Sequence, residues 1–149
     1  MHRRTFSALA LATPALWLAR PALAREPEIY QEGGIAIDGS DPVGYFTKHG
    51  PVSGDAAFTV NHKGAEWRFA DQGSADAFAA NPSAYEPAFG GYCAWAVSQG
   101  YVAPTVPEAW TIHEGRLYLN ASIRVRRRWL RDIDENIAAG LANWPAILG

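Results

Sequence analysis

Sulfur is scarce in this sequence, which has a single cysteine, Cys93, and a single methionine, Met1. One cysteine cannot form a disulfide within the chain, and no thioether ligand for a metal is present after residue 1. Long hydrophobic runs are also missing. The run over residues 8–19 is interrupted by Thr13 and Pro14, and it is shorter than the roughly 20 apolar residues that span a bilayer. No stretch of spanning length follows it, so we expect no membrane anchor.

The N-terminus has the pattern of an export signal. Arg3 and Arg4 precede Phe6, the apolar run follows, and residues 22–24 form a small-x-small cleavage site. The paired arginines and the late charge of Arg20 favour the twin-arginine route; the usual lysine of that motif is absent, which leaves an ordinary secretion signal as the alternative. Residues 1–24 are therefore predicted to be a twin-arginine signal peptide, and the remainder a soluble periplasmic protein. Because this route carries folded proteins, it raises the chance of a preloaded metal or cofactor.

Positive charge is in short supply after this segment. Of the 13 basic residues, Arg3, Arg4 and Arg20 precede residue 25, so 10 basic and all 15 acidic residues remain, a net charge of −5 with histidine neutral. Such a balance gives no reason to expect nucleic acid as a partner. About 125 residues suffice for a single hydrophobic core.

Turn signals and alternating apolar residues predict two β-hairpins. The first runs over residues 57–62 and returns through Trp67 and Phe69 after a Lys63-Gly64 turn; the second joins residues 109–113 to 116–119. A short strand at 35–37 precedes a helical turn at 43–46, and a helix at 73–80 has Ser74 as its predicted cap. Residues 25–34 are interpreted as a flexible lead-in and 35–149 as the domain.

The C-terminal segment has the clearest helical periodicity. Apolar residues recur every four positions from a cap at Asn120 or Ser122, at Val125, Trp129, Ile133, Ile137 and Leu141. Arginines crowd the first half of this helix, and we interpret them as a solvated face. Two hairpins with short helices and a long C-terminal amphipathic helix predict an α+β domain with a small antiparallel sheet.

Cys93 is the leading candidate for chemistry. It follows Gly90-Gly91 and precedes a plausible helix that ends at Ser98, and amide groups at a helix N-terminus lower the pKa of a thiol. A free thiol is unusual in an oxidising compartment, where it is expected to be buried, metal-bound, paired with another molecule or reactive. The alternative is a buried cysteine that acts as a small hydrophobic residue.

Three histidines are candidate metal ligands beside Cys93. His62 lies near the first hairpin turn, His113 near the second, and His49 in a glycine-flanked loop. One cysteine with two histidines suits copper or zinc. The spacing of these residues matches no known metal-site pattern, so they are a candidate set rather than a motif.

Three separated motifs resemble those of the exported YHS-domain proteins, and the resemblance runs from about residue 34 to 144. The motifs are Ile37-x-Gly39-x-Asp41-Pro42-Val43-x-Tyr45-Phe46, Tyr85-x-Pro87-x-Phe89-Gly90-Gly91-Tyr92-Cys93-Ala94 and Gly115-x-Leu117-Tyr118-Leu119-Asn120. This family includes metal-associated modules, and its exported branch includes selenoproteins with selenocysteine at the position matching Cys93. The resemblance therefore implies redox or soft-metal chemistry at Cys93, with Asp41, Tyr45 and Tyr92 as supporting residues.

The sequence departs from the metal-binding branch of that family. Gly44 follows Asp41-Pro42-Val43 where a ligand cysteine is expected, and residues 69–74 hold no cysteine. The cysteine-based metal site is therefore not carried over.

Three functions remain open at this point. The first is a thiol or metal-binding protein centred on Cys93, with copper or zinc as the candidate ion. The second is a non-catalytic module that binds a protein or small ligand through an aromatic surface formed by residues 85–95. The third is a redox enzyme in which Cys93 reduces a peroxide or a disulfide; because no resolving cysteine exists in the chain, disulfide exchange requires a partner thiol.

Overall fold

The computed structural model describes residues 24–149, so the predicted signal peptide lies outside the described residues except for Ala24. The strands are β1 (Gln31–Glu32), β2 (Ile35–Ala36), β3 (Asp55–His62), β4 (Ala65–Phe69), β5 (Trp110–His113) and β6 (Arg116–Leu119). The helices are α1 (Gly44–Thr47), α2 (Gln72–Ala80), α3 (Pro82–Tyr85), α4 (Ala94–Ser98), α5 (Ile123–Leu130) and α6 (Ile133–Asn143). Short 3-10 turns cover Ile37–Gly39, Ala88–Gly91 and Ala146–Leu148. The mixed α+β class is confirmed. No helix among residues 24–149 is both long and apolar enough to cross a membrane.

The strands form two sheets rather than one antiparallel sheet. The larger has the order β1-β2-β4-β3, and β5 pairs only with β6. Within the larger sheet β2 runs parallel to β4, whereas β3 and β4 pair antiparallel about the Lys63-Gly64 turn. The prediction of a single small antiparallel sheet is therefore wrong, because the two hairpins belong to different sheets and one strand pair is parallel.

The segment interpreted as a flexible lead-in packs against the domain. Ile29 and Tyr30 are buried, and the amide of Tyr30 donates to the carbonyl of Gly90. Gln31 and Glu32 form β1. The domain therefore begins at about Ile29 rather than at residue 35, since burial of these two side chains ties the segment to the core.

Asp41 fixes the loop before α1 to the first hairpin. Its carboxylate is buried and accepts the amide hydrogens of Val43 at 2.8 Å and Gly44 at 3.3 Å, and its second oxygen accepts the amide of Ala70 at 3.0 Å. Ala70 directly follows β4, so one side chain joins two distant segments. A buried carboxylate is tolerated here because each of its oxygens is hydrogen-bonded.

The start of α2 differs from the prediction. Asp71, rather than Ser74, caps α2: its carboxylate accepts the amide of Ser74 at 2.8 Å, and the helix begins at Gln72. The phenyl ring of Phe78 on this helix is buried as expected. An aspartate accepts this bond as well as a serine does, so the predicted cap was three residues too late.

The predicted long C-terminal helix is two helices. Ser122 caps α5 by accepting the amide of Val125, and α6 begins at Ile133 after Asp132 leaves the helical region at φ −135°, ψ 56°. The side-chain amide of Asn136 donates to the carbonyl of Trp129, which satisfies the end of α5. Leu141 is 64 % exposed, so the apolar stripe ends before that residue.

We predict that Asp41→Ala lowers the free energy of unfolding by about 3 kcal/mol, because it strands amide donors in a buried position. Urea denaturation of this variant beside Asp76→Ala measures the effect. Asp76 is exposed and accepts only from Gln72, so its loss is expected to change stability by less than about 0.5 kcal/mol. Equal stability of the two variants would contradict the structural role of Asp41.

Candidate functional site

A tight turn places Cys93 at the start of α4. Gly90 and Gly91 in this turn have φ of 62° and 86°, a region that glycine enters without strain. A Cβ on Gly90 would overlap the carbonyl oxygen of Glu28, and one on Gly91 would lie 2.5 Å from a methyl group of Ile37. Only glycine therefore fits at both positions, and the close approach that they allow sets the entry to α4.

The sulfur of Cys93 lies in a buried polar shell. Cys93 is 1 % exposed; its thiol donates to Oδ1 of Asn120 at 3.5 Å, and its sulfur accepts the amide hydrogen of Ala121 at 3.3 Å. Its own amide donates to the carbonyl of Ala103 at 3.0 Å. The thiol thus contacts residues directly after β6, and the backbone of Cys93 is bound to the loop between α4 and β5.

Asn120 is the most constrained polar side chain of this site. It is 0 % exposed, and its Oδ1 accepts the amide hydrogen of Trp95 at 3.0 Å. Cys93 occupies the N-cap position of α4 but makes no capping hydrogen bond with its side chain, so Asn120 caps this helix from a distant part of the chain. Among residues 24–149, Nδ2 of Asn120 has no hydrogen-bond partner. A buried amide donor therefore remains free beside the thiol.

Burial is the main influence on the pKa of the Cys93 thiol. Loss of solvent raises the pKa of Cys93, and the backbone amides of Ala96, Ala121 and Trp95 only partly oppose this increase. The resting residue is a protonated thiol at neutral pH. This is opposite to the lowered pKa that the sequence pattern of a cysteine before a helix favoured.

The three histidines lie in other places. Nε2 of His62 pairs with Glu86 at 2.8 Å, Nε2 of His113 pairs with Asp134 at 3.2 Å, and His49 lies exposed in a turn at φ 56°. Over residues 24–149 no three His, Cys, Asp or Glu side chains are grouped closely enough to hold a metal ion. The predicted metal ligands Cys93, His62, His113 and His49 are therefore not assembled into one site.

The predicted supporting residues hold the fold rather than the thiol. The hydroxyl of Tyr45 donates to the carbonyl of Pro107 at 3.2 Å and lies 3.1 Å from the hydroxyl of Ser40, and burial raises its pKa to about 12. The hydroxyl of Tyr92 donates to the carbonyl of Pro27 at 2.8 Å. Asp41 binds the three amides described above. None of these three polar groups is directed at the sulfur.

The aromatic segment 85–95 is mostly core. Most of its residues are buried, including Phe89 and Tyr92, whereas Tyr85 and Trp95 are half-buried. The rings of Phe89 and Tyr92 both lie about 6 Å from the ring of Trp144. These side chains are used in packing, so the predicted aromatic binding surface is not formed by this segment.

Asn120 and Ala121 are the site residues that sequence reasoning missed. From the sequence, Asn120 is a candidate cap for the C-terminal helix and the last residue of the third motif, yet in the structure it caps α4, 25 residues earlier in the chain. One signal in the sequence points to this role. Asn120 directly follows the apolar strand residues Leu117 to Leu119, so its amide is expected to be buried, and a buried amide needs hydrogen-bond partners.

Comparisons with protein-family models, with curated proteins and with solved structures found no match for this chain. Fold class and site geometry are therefore established from the chain itself.

We predict that Asn120→Ala lowers the free energy of unfolding by about 1–3 kcal/mol, because the buried amide of Trp95 loses its acceptor. Thermal and urea unfolding measure this loss. Asn61→Ala, at an exposed position of β3, is the matched control and is expected to stay within about 0.5 kcal/mol of the wild type. If both variants had the same free energy of unfolding as the wild type, Asn120 would not hold α4 in place.

Proposed function

We propose that this chain is an exported domain of the YHS type whose function is carried by the thiol of Cys93, and that small peroxides oxidise this thiol to a sulfenic acid. The single observation that carries the proposal is the polar shell of the sulfur. Ala121 donates to the sulfur at 3.3 Å, and the fully buried Asn120 beside it keeps an unpartnered Nδ2. A cysteine that only fills space needs no such donors.

The chemistry uses each of these groups. The thiol of Cys93 first loses its proton, and the amides that donate to the sulfur stabilise the thiolate. The thiolate attacks one peroxide oxygen, the O–O bond breaks as the S–O bond forms, and the second oxygen leaves as hydroxide or alkoxide. The sulfur loses two electrons and the peroxide gains them. Asn120 contacts the thiol through Oδ1, and its unpartnered Nδ2 is the donor that we propose for the new oxygen.

Return to the thiol requires reductant from outside the chain. Cys93 is the only cysteine, so a partner thiol must condense with the sulfenic acid, releasing water and forming a mixed disulfide, which a second thiol then reduces. The proposal therefore includes a thiol partner.

The alternatives have less support. No observation favours copper or zinc, since the candidate ligands are dispersed and Cys93 makes its contacts with an amide side chain and a backbone amide. The aromatic segment 85–95 is mostly buried, which leaves little of it for a ligand.

Export by the twin-arginine route remains part of the proposal. The Arg3-Arg4-x-Phe6 motif and the cleavage pattern at residues 22–24 support it. Residues Ala24 to Glu28 are exposed and Ile29 is the first buried residue along the chain that the structure describes, so cleavage after Ala24 would leave the core intact.

We predict that the rate of sulfenic acid formation at Cys93 rises about tenfold for each pH unit below the pKa of the thiol, because only the thiolate reacts. Burial raises that pKa, so the rise continues above the ordinary range of a cysteine. Hydrogen peroxide treatment between pH 6 and 10, with trapping by dimedone and mass spectrometry, measures the rate.

Cys93→Ser and urea-unfolded wild type are the negative and positive controls. Asn120→Asp keeps an acceptor for Trp95 but replaces the free donor by a carboxylate, so oxidation should slow by about tenfold or more; Asn61→Asp should leave the rate unchanged. If the native protein never formed the dimedone adduct while the unfolded protein did, Cys93 would have only a structural role.

For export, we predict that the double substitution Arg3→Lys and Arg4→Lys retains an uncleaved precursor in the cytoplasm, because the twin-arginine pair is the signal that the translocase reads. Arg20→Lys is the charge-matched control and should be exported and cleaved after Ala24. Cell fractionation with intact mass spectrometry gives the result, and export of the double variant at the wild-type level would assign the general secretion route instead.

A further inference from the structure

Half of the basic residues of the domain lie in α5 and at Arg131, which directly follows it. Five of the ten basic residues that follow residue 24 lie between Arg124 and Arg131, whereas no acidic residue does. Without this cluster the rest of the domain would hold five basic and 15 acidic residues. Arg124, Arg127, Arg128 and Arg131 are exposed; we name this group the basic face of α5.

These arginines have no carboxylate partners within the described part of the chain. The ion pairs of residues 24–149 involve His62, Lys63, Arg68 and His113 but none of the arginines from 124 to 131. The half-buried Arg126 donates to the hydroxyl of Thr111 at 2.8 Å, and the guanidinium of Arg128 lies over the ring of Trp95, 5.6 Å from its centroid. The charge of the basic face is therefore open to a ligand.

Part of this arrangement is unfavourable for folding. Arg124 and Arg128 are four positions apart, as are Arg127 and Arg131, and like charges at this spacing destabilise a helix by about 0.2–0.5 kcal/mol a pair. Arg124 also lies in the first turn of α5, where the helix dipole disfavours a cation, whereas Arg127 and Arg128 lie in the last turn, where it favours one. Asp134, which follows this cluster in the chain, pairs with His113 rather than with an arginine. An anionic partner would relieve both sources of strain.

The neighbouring residues indicate a protein partner. Ile123 is 40 % exposed directly before Arg124, and the half-buried ring of Trp95 lies under Arg128. Arginine and tryptophan are enriched in protein interfaces, and the exposed side chain of Ile123 adds apolar area beside them. A membrane is a less suitable partner, because its binding would need more exposed apolar surface. Val125, Trp129 and Leu130 of this helix are half-buried or buried and leave little such surface to insert.

The charge distribution of the domain favours a short acidic ligand over an extended one. Potentials fall off over about 8–10 Å at physiological ionic strength, so a short acidic segment on the basic face meets mainly the arginines. A nucleic acid or an anionic bilayer extends past the helix and meets the acidic remainder of the domain. We propose that the basic face of α5 docks a short acidic segment of a partner protein. This inference does not depend on the redox function of Cys93.

A synthetic fluorescent peptide of ten alternating glutamate and glycine residues is the probe, with binding to the full domain followed by anisotropy at increasing salt. The triple variant Arg124→Gln, Arg127→Gln, Arg131→Gln removes exposed charge and spares Arg126 and Arg128. The control variant Arg25→Gln, Lys48→Gln, Arg116→Gln removes the same charge from exposed residues elsewhere. We expect the first variant to weaken binding by about tenfold, or about 0.5 kcal/mol per arginine, and the control by less than about twofold.

Equal weakening by both variants would overturn the proposal, because it would show a response to net charge alone. So would tighter binding of phosphatidylglycerol vesicles or of a single-stranded oligonucleotide than of the peptide at the same charge concentration. Thermal unfolding tests the premise separately. Removal of the like-charge pairs should leave the triple variant at least as stable as the wild type, and a clear loss of stability would show that the arginines serve the fold instead.

Discussion

The buried side chain of Asn120 is the constraint on which the site depends. Its Oδ1 binds the amide of Trp95 and the thiol of Cys93, and its backbone binds Ala109 and Val106. One residue thus ties the end of β6 to the loop before β5 and to the start of α4. Because the cysteine at the N-cap position supplies no cap of its own, the orientation of this short helix, and with it the position of the sulfur, follows from Asn120.

The same arrangement creates opposing effects on the thiol. Burial disfavours the thiolate and raises the pKa of Cys93, whereas the amides of Ala96, Ala121 and Trp95 favour the anion. The result is a buried thiol that has hydrogen-bond donors beside its sulfur. The proposed reaction with small peroxides rests on these donors, and burial disfavours exchange with large disulfides.

Local structure was predictable where neighbouring residues decide it. The Lys63-Gly64 turn and the alternation of Trp67 with Phe69 predicted the β3–β4 hairpin, and the Ser122 cap marked the start of α5. Longer-range features were not predictable from these patterns. The parallel pairing of β2 with β4 joins strands about 30 residues apart, and the break at Asp132 interrupts an apolar periodicity that continues through it.

The same distinction between local and long-range features applies to the candidate site. Cys93 was identified from its rarity and its place after two glycines, whereas its partner Asn120 lies 27 residues away and reaches it only through tertiary packing. The histidines show the converse: their residue type suits a metal, but each is bound to a carboxylate of its own or exposed.

The most direct test of a thiol function is the oxidation state of Cys93 in the protein inside living cells. Cells that produce the full chain are exposed to a brief pulse of hydrogen peroxide in the presence of dimedone, and the purified domain is mapped by mass spectrometry. We predict a dimedone adduct on Cys93 when the reagent is present during the pulse, and no adduct when it is added before any pulse or only after the cells have recovered, because by then thiols have reduced the sulfenic acid. An unmodified thiol at a peroxide dose that labels other exported thiols would contradict a redox function for this residue.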